Sequence, residues 1–411
     1  MESKNIAIVG SGISGLSAAY LLSRRHTVTL FESSDRLGGH ANTVSTPCGQ
    51  HIDTGFVVFN KKNYPYFCKL LNELNVPIVE SDMSFAYVDP IQNHYYSSDI
   101  PWGIFSKKST LFSPSFYKFI FSIASFNKES LRDLPKLSDK ESLNDYLQRK
   151  AYSPRLIREY VLPMGAAIWS TSEKNIGQVP AKTFFNFWNH HCLLQTTNRP
   201  KWATIKNGSQ TYINALINAI SITVYCNQAI RRIHRHPTHV TVESYHGRYD
   251  FDCVVIATHA DQALRLLDSP TPMEKILLSP WVYTNNQIIL HSDCRVAPPA
   301  KSAWASWIYT RTCNTVMQAS YFMNRLQKLK TPTPFFVTLN SQLPIHSEKI
   351  IYTTRYEHPM MTQSSVETQT NLHELNGVKN TYFCGSYFGN GFHEDGIRSA
   401  VMVANQLGCP F

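Results

Sequence analysis

NIAIVGSGISGLSAAYLLSRRHTVTLFE, running from Asn5 to Glu32, organises the reading of the whole sequence. Asn5 to Val9 is a short apolar run of the kind that forms a buried strand. Gly10-Ser11-Gly12-Ile13-Ser14-Gly15 follows at once. Leu16 to Arg25 has helical apolar spacing and ends in basic residues, which suit a helix C-terminus. Thr27 to Phe31 alternates, is β-branched, and stops at Glu32. The order is strand, G-x-G-x-x-G, helix, strand, acid, with the acid about twenty residues beyond the first glycine. Gly10 permits a tight turn, Gly12 lets a pyrophosphate approach the backbone, and Gly15 lets helix and strand pack closely. Ser14 belongs to the same turn. The helix N-terminus supplies free amides and a positive dipole to phosphates. Glu32 would accept both hydroxyls of an adenosine ribose and repel the extra phosphate of NADP. Taken alone, the glycines would suit a turn before any helix; in this context they predict dinucleotide binding.

Working outward, the chain has 411 residues and a formal charge of +10. At roughly 150 residues per domain it holds two or three domains, or one large α/β unit with an insertion. Hydrophobic residues are 43% and charged ones only 17%, which excludes disorder and coiled coil and leaves material for a large core. No apolar run is long enough to span a bilayer. The nine cysteines are scattered with no C-x-x-C pair, so zinc binding and a secreted disulfide framework are both disfavoured. Reduced thiols in a cytoplasmic compartment are expected. Ile6 to Leu22 reads as a folded strand and helix rather than a signal peptide, because glycines interrupt it and Glu2 spoils a basic leader.

Later segments are placed to return to the same sheet. Ser209 to Ile220 is amphipathic, with Tyr212, Ile213, Leu216, Ile217 and Ile220 on one face. Strands are expected at Ile222–Tyr225, Ile230–Ile233, His239–Glu243 and Phe251–Ala257. Near the end, Thr381 to Cys384 reads as a strand, Gly385-Ser386 as a turn, Phe388 to Gly396 as a glycine-rich loop, and Ile397 to Leu407 as a helix. A glycine-rich loop before a helix again suits phosphate. His393-Glu394-Asp395 at that N-terminus fits either acids favouring the helix dipole or groups facing a cofactor. Arg231, Arg232 and Arg235 form the densest basic cluster, read as a solvated face, and nothing implies nucleic acid.

After Glu32 come Arg36, Gly38-Gly39-His40 and then Asp53-Thr54-Gly55-Phe56. The pattern E-x-x-x-R-x-G-G resembles that of the glutathione-reductase and amine-oxidase superfamily of flavoproteins. The resemblance implies FAD, with Arg36 facing the diphosphate, Gly38 and Gly39 passing close to the cofactor, and Gly55 and Phe56 towards the flavin. It implies an adenine contact through the backbone of Ile230, and further cofactor contacts at Gly385, Ser386, His393, Glu394, Asp395 and Ile397. Gly385 to Gly396 (GSYFGNGFHEDG), Asp53 to Asn60, Met83 to Phe85, Pro163 to Ser170 and Asn198 to Trp202 are similar to a narrower branch. So are His259 to Leu264, Asn286 to His291, Trp304 to Trp307, Met323 to Gln327 and Tyr356 to Pro359. That branch is associated with cyclopropane-fatty-acid synthases and furan-fatty-acid desaturases. The chain departs from the wider pattern twice. Ser386, not an acid, follows Gly385, which leaves Glu394 or Asp395 to hold the ribityl chain. The strand Asn285 to His291 offers Asn286 and Gln287 but no lysine, which weakens amine oxidation.

The expected fold is α/β: a Rossmann-like FAD-binding domain of glutathione-reductase/amine-oxidase type from 1–85, 203–268 and 376–411, with an inserted α+β substrate domain from 86–202 and 269–375. Trp102 to Phe126 is rich in aromatics and edged by Lys107, Lys108 and Lys118. It reads as a buried wall of a substrate pocket, or as a surface entering a membrane interface. Phe184 to Trp188 with His190 and His191 reads as structural, and no metal site is expected. Cys384 reads as a buried strand cysteine. The resemblance implies hydride removal from, and desaturation of, an apolar substrate such as an unsaturated or methylated fatty acyl chain in a phospholipid. His393, Glu394, Asn60 and Tyr64 are the candidates for proton transfer. Three alternatives remain: a flavin-dependent amine oxidase, a carotenoid-type desaturase or isomerase, and a non-catalytic flavoprotein partner of a fatty-acid methyltransferase. Peripheral contact with the inner face of a membrane stays open.

Overall fold

Five strands, β1 (Asn5–Val9), β2 (Thr27–Phe31), β3 (Thr223–Tyr225), β4 (Cys253–Ile256) and β5 (Thr381–Phe383), form a parallel sheet in the order β3-β2-β1-β4-β5. The computed structural model describes residues 2–99, 101–195, 200–312 and 317–411, so Asn198, Arg199 and Cys313 lie outside it. In register, Ile8 sits between Leu30 and Val255, and Val254 pairs with Thr381. Ile6, Ala7 and Ile8 are wholly buried, as a strand covered on both faces requires. The strands expected at Asn5–Val9 and Thr27–Phe31 coincide with β1 and β2. The run expected at Phe251–Ala257 contracts to β4, because Phe251 belongs to a separate antiparallel meander of Ile230–Arg235, Val240–Ser244 and Arg248–Phe251.

The helices that build the site are α1 (Ile13–Leu22), α2 (Pro65–Glu73), α3 (Pro114–Asp133), α4 (Leu162–Trp169), α5 (Ala181–His190), α6 (Gln210–Asn218) and α7 (His393–Gln406). Nine of the ten α1 residues are buried, since α6 and α7 both pack against it. α7 opens a turn earlier than its apolar spacing suggested, because Asp395 folds back onto the loop before it.

A second sheet of seven strands stands beside the first. Its order is Ile350–Pro359, Tyr283–His291, Phe336–Leu339, Gln318–Phe322, Trp307–Thr310, Phe85–Asp89 and His94–Ser97. Every neighbouring pair is antiparallel except Trp307–Thr310 with Phe85–Asp89. Helices α3, α4 and α5 lie in the chain between this sheet's edge strand His94–Ser97 and the strand Trp202–Ile205.

Two expectations need correction. Arg235 is not on a solvated face: its side chain is 3% exposed and pairs with the equally buried Glu274, which also caps its own helix through Thr271. Arg231 and Arg232 remain exposed. Of the two readings of the aromatic region at 102–126, a pocket wall or a surface, the first fails for the cavity described below, which none of these residues lines. Phe116, Phe119 and Phe126 are buried against Tyr96, Phe185 and Trp188, while Trp102, Phe112 and Phe121 face outward.

Candidate active site

Each parallel strand delivers its following residues to the carboxyl edge of the sheet, where α/β folds bind ligands. A cavity of about 450 Å³ lies there. Its lining takes Gly10, Gly12 and Ser14 after β1, Glu32 after β2, Thr258 and His259 after β4, and Gly385 and Ser386 after β5. Gly38, Gly39, Gly55 and Phe56 also line it, and the second sheet supplies residues including Ile288, Trp307 and Tyr321.

The glycines divide by task. Gly10 has φ +100°, a left-handed value that glycine adopts without strain. A Cβ on Gly15 would sit 1.9 Å from the Gly10 carbonyl oxygen, so Gly15 is a packing residue and does not line the cavity. A Cβ on Gly12 meets nothing within 4 Å, so this face of the turn is open to a ligand. Gly39 packs onto it, an added Cβ falling 3.1 Å from Gly12 Cα. Glu32 locks the same turn. One carboxylate oxygen accepts from the Ser11 amide (2.9 Å) and hydroxyl (2.5 Å), the other from the Ser34 amide (2.8 Å) and Ser33 hydroxyl (3.1 Å). A ribose would exchange with the two serine hydroxyls, which are free to rotate. An open backbone face at a helix N-terminus with no side-chain cap, beside a fixed acid, fits the diphosphate and ribose of FAD.

Other residues expected around the cofactor lie elsewhere. The Arg36 guanidinium donates to the carbonyls of Gly39 (2.7 Å) and Ala41 (3.2 Å), bracing the double-glycine turn from outside the lining. Ile230 opens the first strand of the meander, and Ile397 is buried in the core of α7; neither lines the cavity. Glu394 accepts from the Tyr66 (2.9 Å) and Phe67 (3.0 Å) amides, capping α2. Burial raises its carboxyl to about 7 against these two hydrogen bonds. Asp395 accepts from the Asn390 (3.0 Å) and Phe392 (3.1 Å) amides and pairs with Arg398 at 2.8 Å. Both acids therefore shape the loop rather than line the cavity.

Among the proton-transfer candidates, Asn60 is buried outside the lining, its Oδ1 accepting from the Asn63 amide. Tyr64 and His393 do line the cavity. The His393 ring stacks on Phe56 at 3.6 Å and 5°, with Nε2 2.9 Å from the Tyr212 hydroxyl. Burial lowers its pKa to about 3, so it is neutral. His190 and His191 are engaged locally, by Asn63 and by the Phe187 carbonyl and ring. Among the described residues no group of three or more His, Cys, Asp or Glu is placed to hold a metal.

The structure adds a cluster that the sequence reading did not assign. His40, His259 and His358 all line the cavity, with ring centroids of His40 6.1 Å from His259 and 5.3 Å from His358. His259 Nδ1 lies 3.3 Å from a Glu357 carboxylate oxygen, and its ring stacks on Tyr283 at 4.3 Å. His358 Nδ1 accepts from the Asn286 amide at 2.9 Å. Burial lowers all three imidazoles, His358 to about 4. The signal was present but dispersed: a histidine directly after the double glycine, another three residues after β4, and a third in Glu357-His358-Pro359.

The fold is shared with known proteins. An L-amino-acid oxidase of Siganus canaliculatus is 22% identical over 291 residues, which are 66% of this chain and 52% of that one. The chain thus spans about half the length of the curated relatives it matches. Among solved structures, a fatty acid isomerase from P. acnes that produces CLA superposes with a TM-score of 0.71 at 13% identity, covering 98% of each chain. A putrescine oxidase superposes equally well, at 0.71 and 13% identity, over 98% of this chain and 99% of its own. Residues 13–315 match the flavin containing amine oxidoreductase family, and the chain belongs to that family.

Proposed function

We propose that this enzyme desaturates an apolar carbon chain, an unsaturated or methylated fatty acyl chain esterified in a phospholipid. The carrying observation is the lining beyond the glycine loops. Met83, Phe85, Met164, Ile168, Trp169 and Phe187 contribute to it, and among the described residues no Lys or Arg does. An amino-acid substrate would bring a carboxylate into this space with no cation to meet it, at a desolvation cost. An acyl chain brings no charge. The same fold serves a fatty acid in the isomerase, which is compatible with such a substrate.

FAD, when bound, supplies the two-electron acceptor. The protein's own residues orient the chain between apolar walls, exclude water, and hold a proton acceptor. His259 suits that last task best. Glu357 favours the tautomer with the proton on Nδ1 and leaves Nε2 to accept. The Glu357 charge also raises the His259 pKa against burial. Glu357→Gln should therefore lower it further, moving the acid limb of the pH–rate profile to lower pH and reducing kcat. An unmoved limb would remove His259 from this role.

Anaerobic titration of the FAD-loaded protein with vesicles carrying unsaturated or methylated acyl chains tests the substrate. Bleaching of the oxidised-flavin band, with a new double bond in the lipid, is expected. A band that persists with every lipid but bleaches with an amine would establish the second reading, amine oxidation, which family membership and the Glu357 carboxylate favour. A flavin inert to both, in a protein that holds a fatty-acid methyltransferase tightly, would make it a partner protein instead.

A further inference from the structure

From Pro101 to Lys128 the sequence contains no Asp or Glu, but it contains Lys107, Lys108, Lys118 and Lys128. The structure gathers this stretch into a turn-rich segment and the first four turns of α3. Ser113 caps that helix by accepting from the Phe116 amide, and Pro114 opens it. The first half of α3 carries apolar side chains on more than one face, so burying Phe116, Phe119 and Phe126 leaves Tyr117 and Phe121 on the outer face. Trp102 is 80% exposed, Phe112 88% and Phe121 73%, with Leu111 and Tyr117 also exposed. Tyr117 joins the two parts, its hydroxyl donating to the Leu111 carbonyl at 3.0 Å and its ring lying 6.1 Å from that of Phe105, and a contiguous exposed apolar surface marks an interaction site.

What surrounds them selects the occupant. Lys108, Lys118 and Lys128 are exposed, while Lys107 donates to the Asn93 carbonyl. Exposed aromatic side chains interspersed with lysines, in a stretch that has no acid from 101 to 128, match the boundary between anionic headgroups and acyl chains. The surface also lies one helix from the cavity. Phe126 packs on Phe185 and Trp188 of α5, and Phe187 of the same helix lines the cavity.

We infer that the surface spanning residues 102–128 docks this protein onto an anionic lipid bilayer, with Trp102, Phe112 and Phe121 entering the interface and Lys108, Lys118 and Lys128 among the headgroups. The inference rests on the surface alone and stands whether or not the acyl-chain substrate is correct.

Flotation of the FAD-loaded protein with phosphatidylcholine vesicles, with and without phosphatidylglycerol, tests it without turnover. The protein should float with the anionic vesicles and be released by salt. Phe112→Ser with Phe121→Ser should weaken binding at least about tenfold. Lys108→Glu with Lys118→Glu should abolish the preference for phosphatidylglycerol. The oxidised-flavin spectrum should be unchanged in both variants, since these side chains are outward. A wild-type protein that stays with the lipid-free fraction, or variants that float as it does, would overturn the inference. Loss of a protein–protein complex in lipid-free solution, with flotation unaltered, would assign the surface to a protein partner.

Discussion

Two glycine-rich loops each follow a parallel strand and open a helix, yet they treat charge in opposite ways. Gly10 to Gly15 leads into α1 with no acid in the first turn and no side-chain cap on the helix, Glu32 holding only the Ser11 amide ahead of it. Gly385 to Gly396 leads into α7 with Glu394 and Asp395 in the first turn. There Asp395 takes two loop amides and Glu394 takes two amides of α2. The α1 terminus is open to an anion; the α7 terminus carries carboxylates that would repel one. Glycine content does not make a phosphate site. What occupies the neighbouring amides decides it.

The largest effect that would break this comparison comes from the first loop. Gly15→Ala places a methyl against the Gly10 carbonyl and should cost on the order of 1–3 kcal/mol by overpacking, lowering the Tm even without FAD. Gly12→Ala meets open space and should leave the FAD-free Tm unchanged while FAD retention falls. Matching Tm losses in the two variants would erase the division between packing and approach.

Glu32→Ala should weaken FAD binding about tenfold or more, since it removes an ionised acceptor and frees the Ser11 turn. Retention measured by dialysis checks this, and undiminished retention would break the assignment of that residue.

The smallest effect sharpens the second loop. Burial raises the Glu394 carboxyl from its ordinary 4.5 to about 7, so folding favours its neutral form. Its contribution to stability is full below about pH 4 and is lost as pH rises through about 7. Glu394→Gln should flatten thermal stability across that window. A variant with the wild-type slope would show that another group titrates there.

The first half of the site was legible because it is made locally. Gly10, Gly12, Gly15 and Glu32 act through one turn whose geometry follows from their spacing. The Gly38-Gly39 turn was found as well, and so were the strands that became β1 and β2. The second loop was legible only as two alternatives, acids favouring a helix dipole or groups facing a cofactor, because Glu394 and Asp395 are acids beside glycines in either. Only the position of the α2 amides, some 330 residues earlier in the chain, shows what Glu394 holds. The aromatic stretch at 102–126 was left between a wall and a surface because apolar pattern reports the wish to be buried and not whether a partner exists on every side.

By itself, then, the sequence determined an α/β fold, the choice of FAD through its family resemblance, and the conformation of the glycine turn after β1. Backbone conformation and side-chain period are properties of neighbouring residues, so they survive in one dimension. Tertiary structure alone decided that His40, His259 and His358 meet at one wall, that Glu357 faces His259, and that Trp102, Phe112 and Phe121 remain outside. Those facts depend on which of many apolar faces pack against each other, and that is settled by the folded chain as a whole.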